Sequence, residues 1–210
     1  MIRVLIADDH GVVRAGTRRL LEETEDIEVV AEASDGREAI SEYKRTYPDV
    51  AILDISMPVV DGIDACKQLK TLYPNARILI LTVHPEDQYA IRLFNAGALG
   101  YVTKRISAKE LHEAVRSVAQ NKVFLSSDAK DYILSQLLHT GGHSNPLETL
   151  SSRELQVFSL LVQGKKLKEI ATDINLSIKT VDNYRSRVLR KFGLKRTVDL
   201  VAFAYQNGLI

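Results

Sequence analysis

The amino-acid sequence predicts an α/β domain with a doubly wound, five-stranded parallel sheet, followed by a small all-α domain. Three observations support this prediction. Short apolar runs recur every 22 to 27 residues in the first half, and apolar residues at helical spacing fill the second half. The charge also changes sign, because residues 1–120 hold 15 Lys and Arg against 19 Asp and Glu, whereas residues 121–210 hold 13 against 8. The total of +1 therefore sums an acidic and a basic module, and the basic module is a candidate for binding nucleic acid.

The composition excludes several other classes of protein. With 45% hydrophobic and 26% charged residues, the chain is an ordinary globular protein, and its 210 residues are enough for two domains that each bury a core. No apolar run approaches the roughly 18 residues that cross a bilayer. Cys66 is the only cysteine, which excludes an internal disulfide. The first residues enter an apolar strand directly, unlike a signal peptide. We therefore expect a cytoplasmic protein with no membrane contact.

The first half of the chain alternates strands with helices. The five predicted strands are Ile2–Ala7, Ile27–Ala33, Val50–Leu53, Arg77–Leu81 and Leu99–Val102. Helical spacing of apolar residues predicts helices over Arg14–Leu21, Ile63–Leu72 and Leu111–Val118. Ser107 followed by Glu110 is a capping box that begins the last of these helices. Apolar strands separated by helices predict a parallel sheet covered on both faces, with right-handed crossovers.

Polar side chains follow the ends of the predicted strands, where the ligand site of such a sheet lies. These residues are Asp8, Asp9, Asp54, Thr82 and Lys104. Three carboxylates this close need a cation, and oxygen ligands with open positions suit Mg²⁺. Thr82 and Lys104 supply a hydroxyl and an ammonium for a phosphoryl group. Asp54 is central, so we expect it to attack phosphorus and form an acyl phosphate. Taken singly, these residues also have structural explanations, since Asp8 or Asp9 can cap a helix and Asp54 can end a strand.

The same strand ends carry the motifs of a known family. The motifs are Asp8-Asp9, Leu53-Asp54-Ile55-Ser56-Met57-Pro58, Asp61-Gly62, Leu81-Thr82, Gly97-Ala98 and Gly100-Tyr101-Val102-Thr103-Lys104. Residues 1–120 thus resemble the receiver domain of bacterial two-component response regulators, which implies a flavodoxin-like fold. The resemblance implies that Asp54 accepts a phosphoryl group from the phosphohistidine of a sensor histidine kinase. The implied Mg²⁺ ligands are Asp9, Asp54 and the Ser56 carbonyl, with Asp8 acting through water.

The resemblance also assigns roles to residues near the phosphoacceptor. It implies that Thr82 and Lys104 contact the phosphoryl group. It further implies that Tyr101 is an aromatic switch, which turns inward together with Thr82. Val83 is bulkier than the small residue common at its position, which implies reduced access for the phosphoryl group.

Residues 123–148 join the two modules. Apolar residues between Val123 and Leu138 predict a single helix that begins at Ser126-Ser127-Asp128. The stretch from His139 to Pro146 has two glycines and no apolar periodicity, which is typical of a linker. We therefore predict a phosphoacceptor domain over residues 1–122, a linker with one helix over 123–148, and a helical domain over 149–210.

The helical domain is predicted from its caps and its apolar spacing. Ser151 and Glu154 form a capping box for a first helix that ends at Gly164. A second helix begins at Leu167, and the turn Asn175-Leu176-Ser177 separates it from a third helix, whose apolar face includes Ile178, Val181, Val188, Leu189 and Phe192. A fourth helix runs from Thr197 to Asn207. Two short helices joined by a three-residue turn have helix-turn-helix geometry, in which the second helix enters the major groove of DNA.

The third helix of this domain has a basic face. From Ile178 to Arg196 there are seven Lys and Arg and one acid, Asp182. At 100° per residue, the residues opposite the apolar face are Lys179, Asn183, Ser186, Arg187 and Arg190. Basic side chains reach phosphates, while Asn183, Ser186 and Arg187 have groups that read base edges. The alternative is a solvated face of a helical bundle, and the turn, the caps and the one-sided charge together favour DNA.

This domain resembles a second family, the LuxR-type helix-turn-helix of NarL-type response regulators. The matching motifs are Leu150-Ser151-Ser152-Arg153-Glu154, Gly164, Lys168-Glu169-Ile170-Ala171, Ser177-Ile178-Lys179-Thr180-Val181 and Leu189-Arg190-Lys191-Phe192-Gly193. The resemblance implies base reading by Asp182, Asn183 and Ser186, DNA-backbone contacts from Lys179 and Thr180, and dimerisation through the last helix. Tyr184 stands where histidine is common and Asp182 where a basic residue is common.

The sequence therefore predicts a DNA-binding transcriptional regulator that is not an enzyme, binds Mg²⁺ and double-stranded DNA, and forms a homodimer when phosphorylated. We hypothesise that the acidic domain covers the basic helix until phosphorylation of Asp54 releases it. One alternative is a Mg²⁺-dependent phosphohydrolase with an aspartyl nucleophile. Against it stands Ser56, because no acid lies two residues after Asp54 to act as a general acid. Another alternative is a receiver that switches by protein contact without phosphorylation.

Overall fold

The chain folds into two compact units that divide between Gly141 and Gly142. The computed structural model describes residues 1–83, 93, 95–125, 146–174 and 176–206. The helix predicted to begin at Ser126 and the turn residue Asn175 lie outside these residues. Within them, no helix combines the length and the apolar character needed to span a membrane.

The N-terminal unit is built on a parallel sheet with the strand order β2-β1-β3-β4-β5-β6. The strands are β1 (Ile2–Ala7), β2 (Ile27–Ala33), β3 (Val50–Leu53), β4 (Ile78–Thr82), β5 (Gly100–Thr103) and β6 (Phe124–Leu125). Every residue of β3 and β4 is buried, as expected for central strands covered on both faces. The predicted parallel sheet is confirmed, with all five strands within one residue of their predicted bounds, and Phe124–Leu125 pair with β5 as a sixth short strand that extends the sheet past residue 122.

Four described helices belong to this unit: α1 (Gly11–Leu21), α2 (Gly36–Thr46), α3 (Gly62–Leu72) and α4 (Ala108–Ala119). The first begins three residues before its predicted start. The capping box predicted at the start of α4 is confirmed, since the Ser107 hydroxyl accepts from the backbone N–H of Glu110 and the Glu110 carboxylate accepts from that of Ser107. The helix then packs Leu111, Ala114, Val115 and Val118 into the core beside β3, β4 and β5.

The C-terminal unit is helical. A short 3₁₀ helix over Pro146–Thr149 precedes α5 (Ser152–Val162), α6 (Leu167–Asp173), α7 (Ile178–Lys191) and α8 (Thr197–Gln206). The predicted capping box of α5 is present, and Ser177 caps α7 by accepting from the N–H of Thr180. The order of these helices confirms the helix-turn-helix prediction.

The core of the C-terminal unit joins α5, α7 and α8 through aromatic rings. Phe192 lies edge-on to Phe158, with ring centroids 5.8 Å apart, and stacks on Phe203 at 4.7 Å. Val181 and Val188 of α7 are fully buried. Ile178, predicted on the same apolar face, is half exposed because it begins the helix beyond the edge of this core.

Candidate functional site

The parallel sheet brings the predicted acidic residues to one edge. Asp8 follows β1 and Asp54 follows β3, and these strands are neighbours whose ends are joined by a hydrogen bond from the Asp54 N–H to the Ala7 carbonyl. Thr82 ends β4, and its carbonyl accepts from the N–H of Lys104 just past β5. Side chains that are far apart in sequence therefore meet at the carboxyl ends of the strands.

Lys104 is the cation that joins two of the acids. Its Nζ lies 2.6 Å from Asp8 Oδ2 and 2.9 Å from Asp54 Oδ2, and both carboxylates are almost completely buried. Burial raises the pKa of Asp54, the charges of Asp8 and Asp9 raise it further, and Lys104 offsets only part of these effects. For Lys104, burial lowers the pKa, but the attraction of Asp54 and Asp8 outweighs it and the pKa is raised. Lys104 is therefore charged, and the cluster keeps an excess of negative charge.

The acidic edge has the ligand chemistry of a metal site. One oxygen or nitrogen atom from each of Asp8, Asp9, His10 and Asp54 can be chosen so that all four lie within 4.8 Å of one another. Asp9 Oδ1 is buried and accepts no hydrogen bond from the residues that the structure describes, although His10 Nδ1 lies 2.7 Å away. A buried carboxylate oxygen whose only close contact among the described residues is an ion-pair contact with an imidazole fits a cation. The sequence reasoning missed His10, although it directly follows the acid pair.

The loop after β3 folds tightly against the phosphoacceptor candidate. Gly62 begins α3, and a Cβ at this position would lie 2.0 Å from the carbonyl oxygen of Asp54. Only glycine allows that approach. Val59 in the same loop has φ 63° and is exposed, a backbone conformation that is strained for a β-branched residue. The loop therefore holds a tight and strained path beside Asp54, whose Oδ1 accepts from the N–H of Ile55.

The remaining predicted residues at this edge of the sheet differ in how deeply their side chains are buried. Thr82 and Tyr101 are fully buried, so the Tyr101 ring points inward, and it lies on β5 beside β4. Ser56 is partly buried in the loop after Asp54. The side chain of Val83, directly after Thr82, is largely exposed.

The basic face predicted in the C-terminal unit lies on α7. The side chains of Lys179, Asn183, Ser186, Arg187 and Arg190 are exposed, whereas Val181, Val188 and Leu189 face the core. The helix thus presents cations and hydrogen-bonding groups along one exposed surface, as a recognition helix does.

Three of the predicted contacts on α7 have neighbours that the sequence did not indicate. Asp182 is ion-paired with Arg185 at 2.7 Å, so its charge is neutralised within the helix. Thr180 shares a hydrogen bond between its hydroxyl and that of Ser177, 2.8 Å apart. Arg187 lies 5.8 Å from the ring centroid of Tyr184, a cation–π distance. These contacts depend on side-chain conformations that apolar periodicity does not report.

An ion pair between the exposed Lys191 and the buried Glu154 joins the end of α7 to the start of α5. Lys191 Nζ contacts the carboxylate of Glu154 and donates to the carbonyl of Thr149 at 2.8 Å. Glu154 also accepts from the N–H of Ser151 at 2.7 Å. The orientation of the recognition helix within this unit is therefore set by hydrogen bonds as well as by the aromatic core.

The two units together define a class of protein, in which an α/β module with an acidic sheet edge is combined with a helix-turn-helix module. Comparison with known families shows to which family the chain belongs. The response regulator receiver domain matches residues 4–116, and the luxR family of bacterial regulatory proteins matches residues 148–204. The chain belongs to the response regulators that combine a receiver domain with a LuxR-type DNA-binding domain.

Relatives of full length share this organisation. The response regulator UvrY of Escherichia coli K12 is 36% identical over 209 residues, which cover 100% of this chain and 96% of the relative. The transcriptional regulatory protein LiaR of Bacillus subtilis is 36% identical over 210 residues, with 100% of both chains covered. These relatives, which span both units, place the chain among transcriptional response regulators.

Solved structures show the same fold. RcsB from Salmonella enterica serovar Typhimurium, bound to the promoter rprA with the phosphomimetic BeF₃⁻, is 27% identical, with a TM-score of 0.61 and coverage of 96% of this chain and 97% of RcsB. A structure of two RcsB dimers bound to two parallel DNAs is 28% identical, with a TM-score of 0.58 and coverage of 97% and 98%. The similarity to these structures includes both the receiver and the helix-turn-helix domain.

Proposed function

We propose that Asp54 accepts a phosphoryl group from the phosphohistidine of a sensor histidine kinase. In this reaction the phosphorus–nitrogen bond of the donor breaks while a bond forms between phosphorus and a carboxylate oxygen of Asp54. The burial of Asp54 between Asp8 and Lys104 is the observation that carries the proposal. Its charged neighbours make it a reactive carboxylate, whereas a strand-end residue with a purely structural role needs none of them.

We propose that Asp9, Asp54 and the Ser56 carbonyl hold Mg²⁺ directly, with Asp8 acting through water. Bound Mg²⁺ neutralises charge on the incoming phosphoryl oxygens. The residues of the chain do the rest, since Lys104 donates to a phosphoryl oxygen and Thr82 supplies a hydroxyl. Their positions at the ends of neighbouring strands β4 and β5 support these roles.

We propose that Tyr101 and Thr82 report phosphorylation to the surface of the receiver. The added group brings roughly −1.5 to −2 charge, and Thr82 responds to it at the end of β4. Tyr101 lies one strand away with its ring buried, so a movement of Thr82 changes the packing of that ring. This is the switch role that the family resemblance implies.

Labelling with acetyl phosphate tests the acceptor. The full-length chain should be phosphorylated in the presence of Mg²⁺, and Asp54→Ala should abolish the label. Asp64→Ala is the matched control, because Asp64 is an exposed acid on α3 of the same unit. A label that persists in Asp54→Ala moves the acceptor to another residue.

We propose that Asp54 is a stoichiometric acceptor and that the chain does not turn over phosphate esters. Ser56 stands two residues after Asp54, where a carboxylic acid would be needed to protonate a leaving group. Incubation with p-nitrophenyl phosphate should therefore give at most one equivalent of nitrophenolate for each chain. Sustained turnover would establish the phosphohydrolase alternative.

We propose that α7 binds the major groove of double-stranded DNA in the cytoplasm. Asp182, Asn183 and Ser186 read bases, Lys179 and Thr180 contact the DNA backbone, and Arg187 and Arg190 contribute base or phosphate contacts. The exposure of Lys179, Asn183, Ser186, Arg187 and Arg190 on one surface of the helix supports this arrangement, and Thr180 and Asp182 beside them are partly buried. If Lys179, Arg187 and Arg190 contact phosphates, the slope of log K against log salt should include about −0.9 for each. Salt-independent binding would contradict this interface.

We propose that the phosphorylated chain binds DNA as a homodimer through α8. Val198 and Tyr205 support this, because both are large apolar side chains exposed on that helix, seven residues and thus about two turns apart. Sedimentation equilibrium with and without BeF₃⁻ should show dimers only with the phosphomimetic. Val198→Glu should prevent them, and dimers that survive this change would place the interface elsewhere.

We further propose that the unphosphorylated receiver covers the recognition helix. The opposite charges of the two halves support this. The full-length unphosphorylated chain should bind operator DNA more weakly than residues 146–210 alone. Equal affinities would contradict masking and leave dimerisation as the controlled step.

A further inference from the structure

We infer that His10 is a further metal ligand, which makes the acidic edge of the receiver a mixed nitrogen and oxygen site. Such a site takes a divalent ion with a preference for imidazole, such as Ni²⁺, as well as Mg²⁺. The inference rests on the proposed function, because it concerns the same cation site. It adds a ligand and a metal preference that the acids alone do not supply.

The position of the imidazole supports this role. His10 Nδ1 lies 2.7 Å from Asp9 Oδ1 and 3.5 Å from Asp8 Oδ1. With metal–ligand bonds of about 2.1 Å, neighbouring ligand atoms lie about 3 Å apart and opposite ones about 4.2 Å apart. The candidate atoms of Asp9, His10 and Asp54 belong to a group whose atoms lie within 4.8 Å of one another, so a contraction of about half an ångström brings these three to one ion, with Asp8 held through water.

The local backbone holds His10 in place without using its side chain. The N–H of His10 donates to Asp8 Oδ1 at 2.8 Å, and Arg14 Nη1 donates to the Asp8 carbonyl at 2.6 Å. His10 is the residue that precedes α1, yet its side chain makes no capping hydrogen bond to the helix. The backbone therefore fixes the residue beside the carboxylates, and the imidazole contacts Asp9 and Asp8 rather than the start of the helix.

Exposure and charge also fit a metal ligand. The His10 side chain is 59% exposed while that of Asp8 is buried. The imidazole therefore lies on the solvent side of the site, from which a hydrated ion approaches, and the acids lie on the inner side. Asp8 and Asp54 share the Lys104 cation, and Asp9 adds a third carboxylate beside them, which leaves charge for a divalent ion. A neutral imidazole adds a ligand without adding charge, and it raises affinity for first-row transition metals more than for Mg²⁺.

The test compares Ni²⁺ with Mg²⁺ by isothermal titration of the full-length chain without a phosphodonor. His139→Gln and His143→Gln are present in every protein, because these two histidines lie four residues apart in the linker and offer nickel another site. His10→Ala should weaken Ni²⁺ binding by about tenfold and Mg²⁺ binding by twofold or less. His10→Asn, which keeps a polar side chain before α1, should behave in the same way. With Cu²⁺, the electron paramagnetic resonance spectrum should show coupling to nitrogen that both variants lose.

Three results would overturn the inference. Equal weakening of Ni²⁺ and Mg²⁺ would mean that His10 only orients the carboxylates. Unchanged Ni²⁺ affinity in His10→Ala and His10→Asn would remove the ligand role. Ni²⁺ binding that survives Asp9→Asn would lie elsewhere in the chain. Failure of the proposed function is distinguishable, since it appears as a lack of Mg²⁺-dependent labelling of Asp54 in the protein with His10 intact.

Discussion

Asp54 in the receiver and Glu154 in the LuxR-type domain are both buried carboxylates that contact a lysine, yet their pKa values move in opposite directions. Burial raises the pKa of Asp54, and the neighbouring Asp8 compounds the effect of burial. Burial also acts to raise the pKa of Glu154, but hydrogen bonds from Lys191 and Ser151 outweigh it, and the pKa is lowered. Burial is the largest influence on both carboxylates, and they differ in how many acids share each lysine.

The two sites thus differ in their balance of carboxylates and cations. Glu154 has one lysine to itself and accepts from the Ser151 backbone, so its charge is satisfied and its role is structural. Asp54 shares Lys104 with Asp8, so two carboxylates face one cation, as the proposed cation-binding and phosphoacceptor roles require. Functional sites commonly carry such an imbalance, at a cost in stability.

Removing Lys104 should have the largest effect on this comparison. Lys104→Met leaves two buried carboxylates without their cation and should lower the free energy of unfolding of the receiver by about 3 kcal/mol. Mg²⁺ should restore part of this loss, because it binds the folded state through the same acids. Urea titration monitored by hydrogen exchange of the β1 and β3 amides measures the unfolding of the receiver separately from that of the LuxR-type domain. Lys109→Met, at an exposed position on α4, is the control, and a loss no larger than in this control would contradict the prediction.

Removing Lys191 should have a smaller effect that Mg²⁺ does not reverse. Lys191→Met takes the cation from Glu154 and the donor from the Thr149 carbonyl, which should cost about 2 kcal/mol. Hydrogen exchange of α5 and α7 amides in urea gives the measurement, with Lys195→Met as the exposed control. Recovery in Mg²⁺ would show that Glu154 also belongs to a cation site, and the proposed distinction would be lost.

Replacing each of the two acids with its amide should change the free energy of unfolding in opposite directions at neutral pH, with a gain for Asp54 and a loss for Glu154. The pKa of Asp54 is raised in the folded state, so stability is lost as pH rises above the unfolded pKa of about 3.9 and through the folded pKa. Without divalent ions, Asp54→Asn should therefore stabilise the receiver at neutral pH, and the gain should shrink toward pH 4 and below.

For Glu154 the sign is reversed. Its pKa is lowered in the folded state, so its contribution is present above the unfolded pKa of about 4.3 and is lost as pH falls through the folded pKa. Glu154→Gln should cost about 1 kcal/mol at neutral pH, and the difference should close in acid. Urea titrations from pH 3 to 7 check both variants, and changes of equal sign would break the comparison.

Local signals explain what the sequence predicted well. The capping boxes at Ser107 and Ser151 each involve residues three apart in the chain, and strand–helix alternation defines the sheet edge at which Asp54 lies. The sixth strand has two residues and is defined by its pairing with Gly100 and Tyr101 of β5, which no local pattern reports.

Side-chain partners were the least predictable feature. The pairing of Asp182 with Arg185 and of Glu154 with Lys191 depends on rotamers and on helix packing. A capping box predicted Glu154 as a local cap, but its lysine lies 37 residues away. His10 is one residue from Asp9, and its orientation toward the acids is a property of the loop backbone.

Backbone strain offers the smallest and last test of the difference between the domains. Among the described residues with positive φ, those of the LuxR-type domain are glycines, Gly164 and Gly193, whereas the receiver includes Val59 at φ 63°. A left-handed conformation costs an L-residue about 1 to 2 kcal/mol. Replacing that residue with glycine removes this strain, but part of the gain is lost because the unfolded chain has more conformational entropy with glycine. Val59→Gly should therefore raise the free energy of unfolding of the receiver by about 0.5 to 1 kcal/mol. Asn121→Gly, at φ 61°, should gain less, because asparagine tolerates this conformation. Hydrogen exchange of β3 in urea compares the two variants. Equal gains would mean that the loop after β3 stores no more strain than an ordinary turn, and that charge alone separates the Asp54 cluster from the Glu154 ion pair.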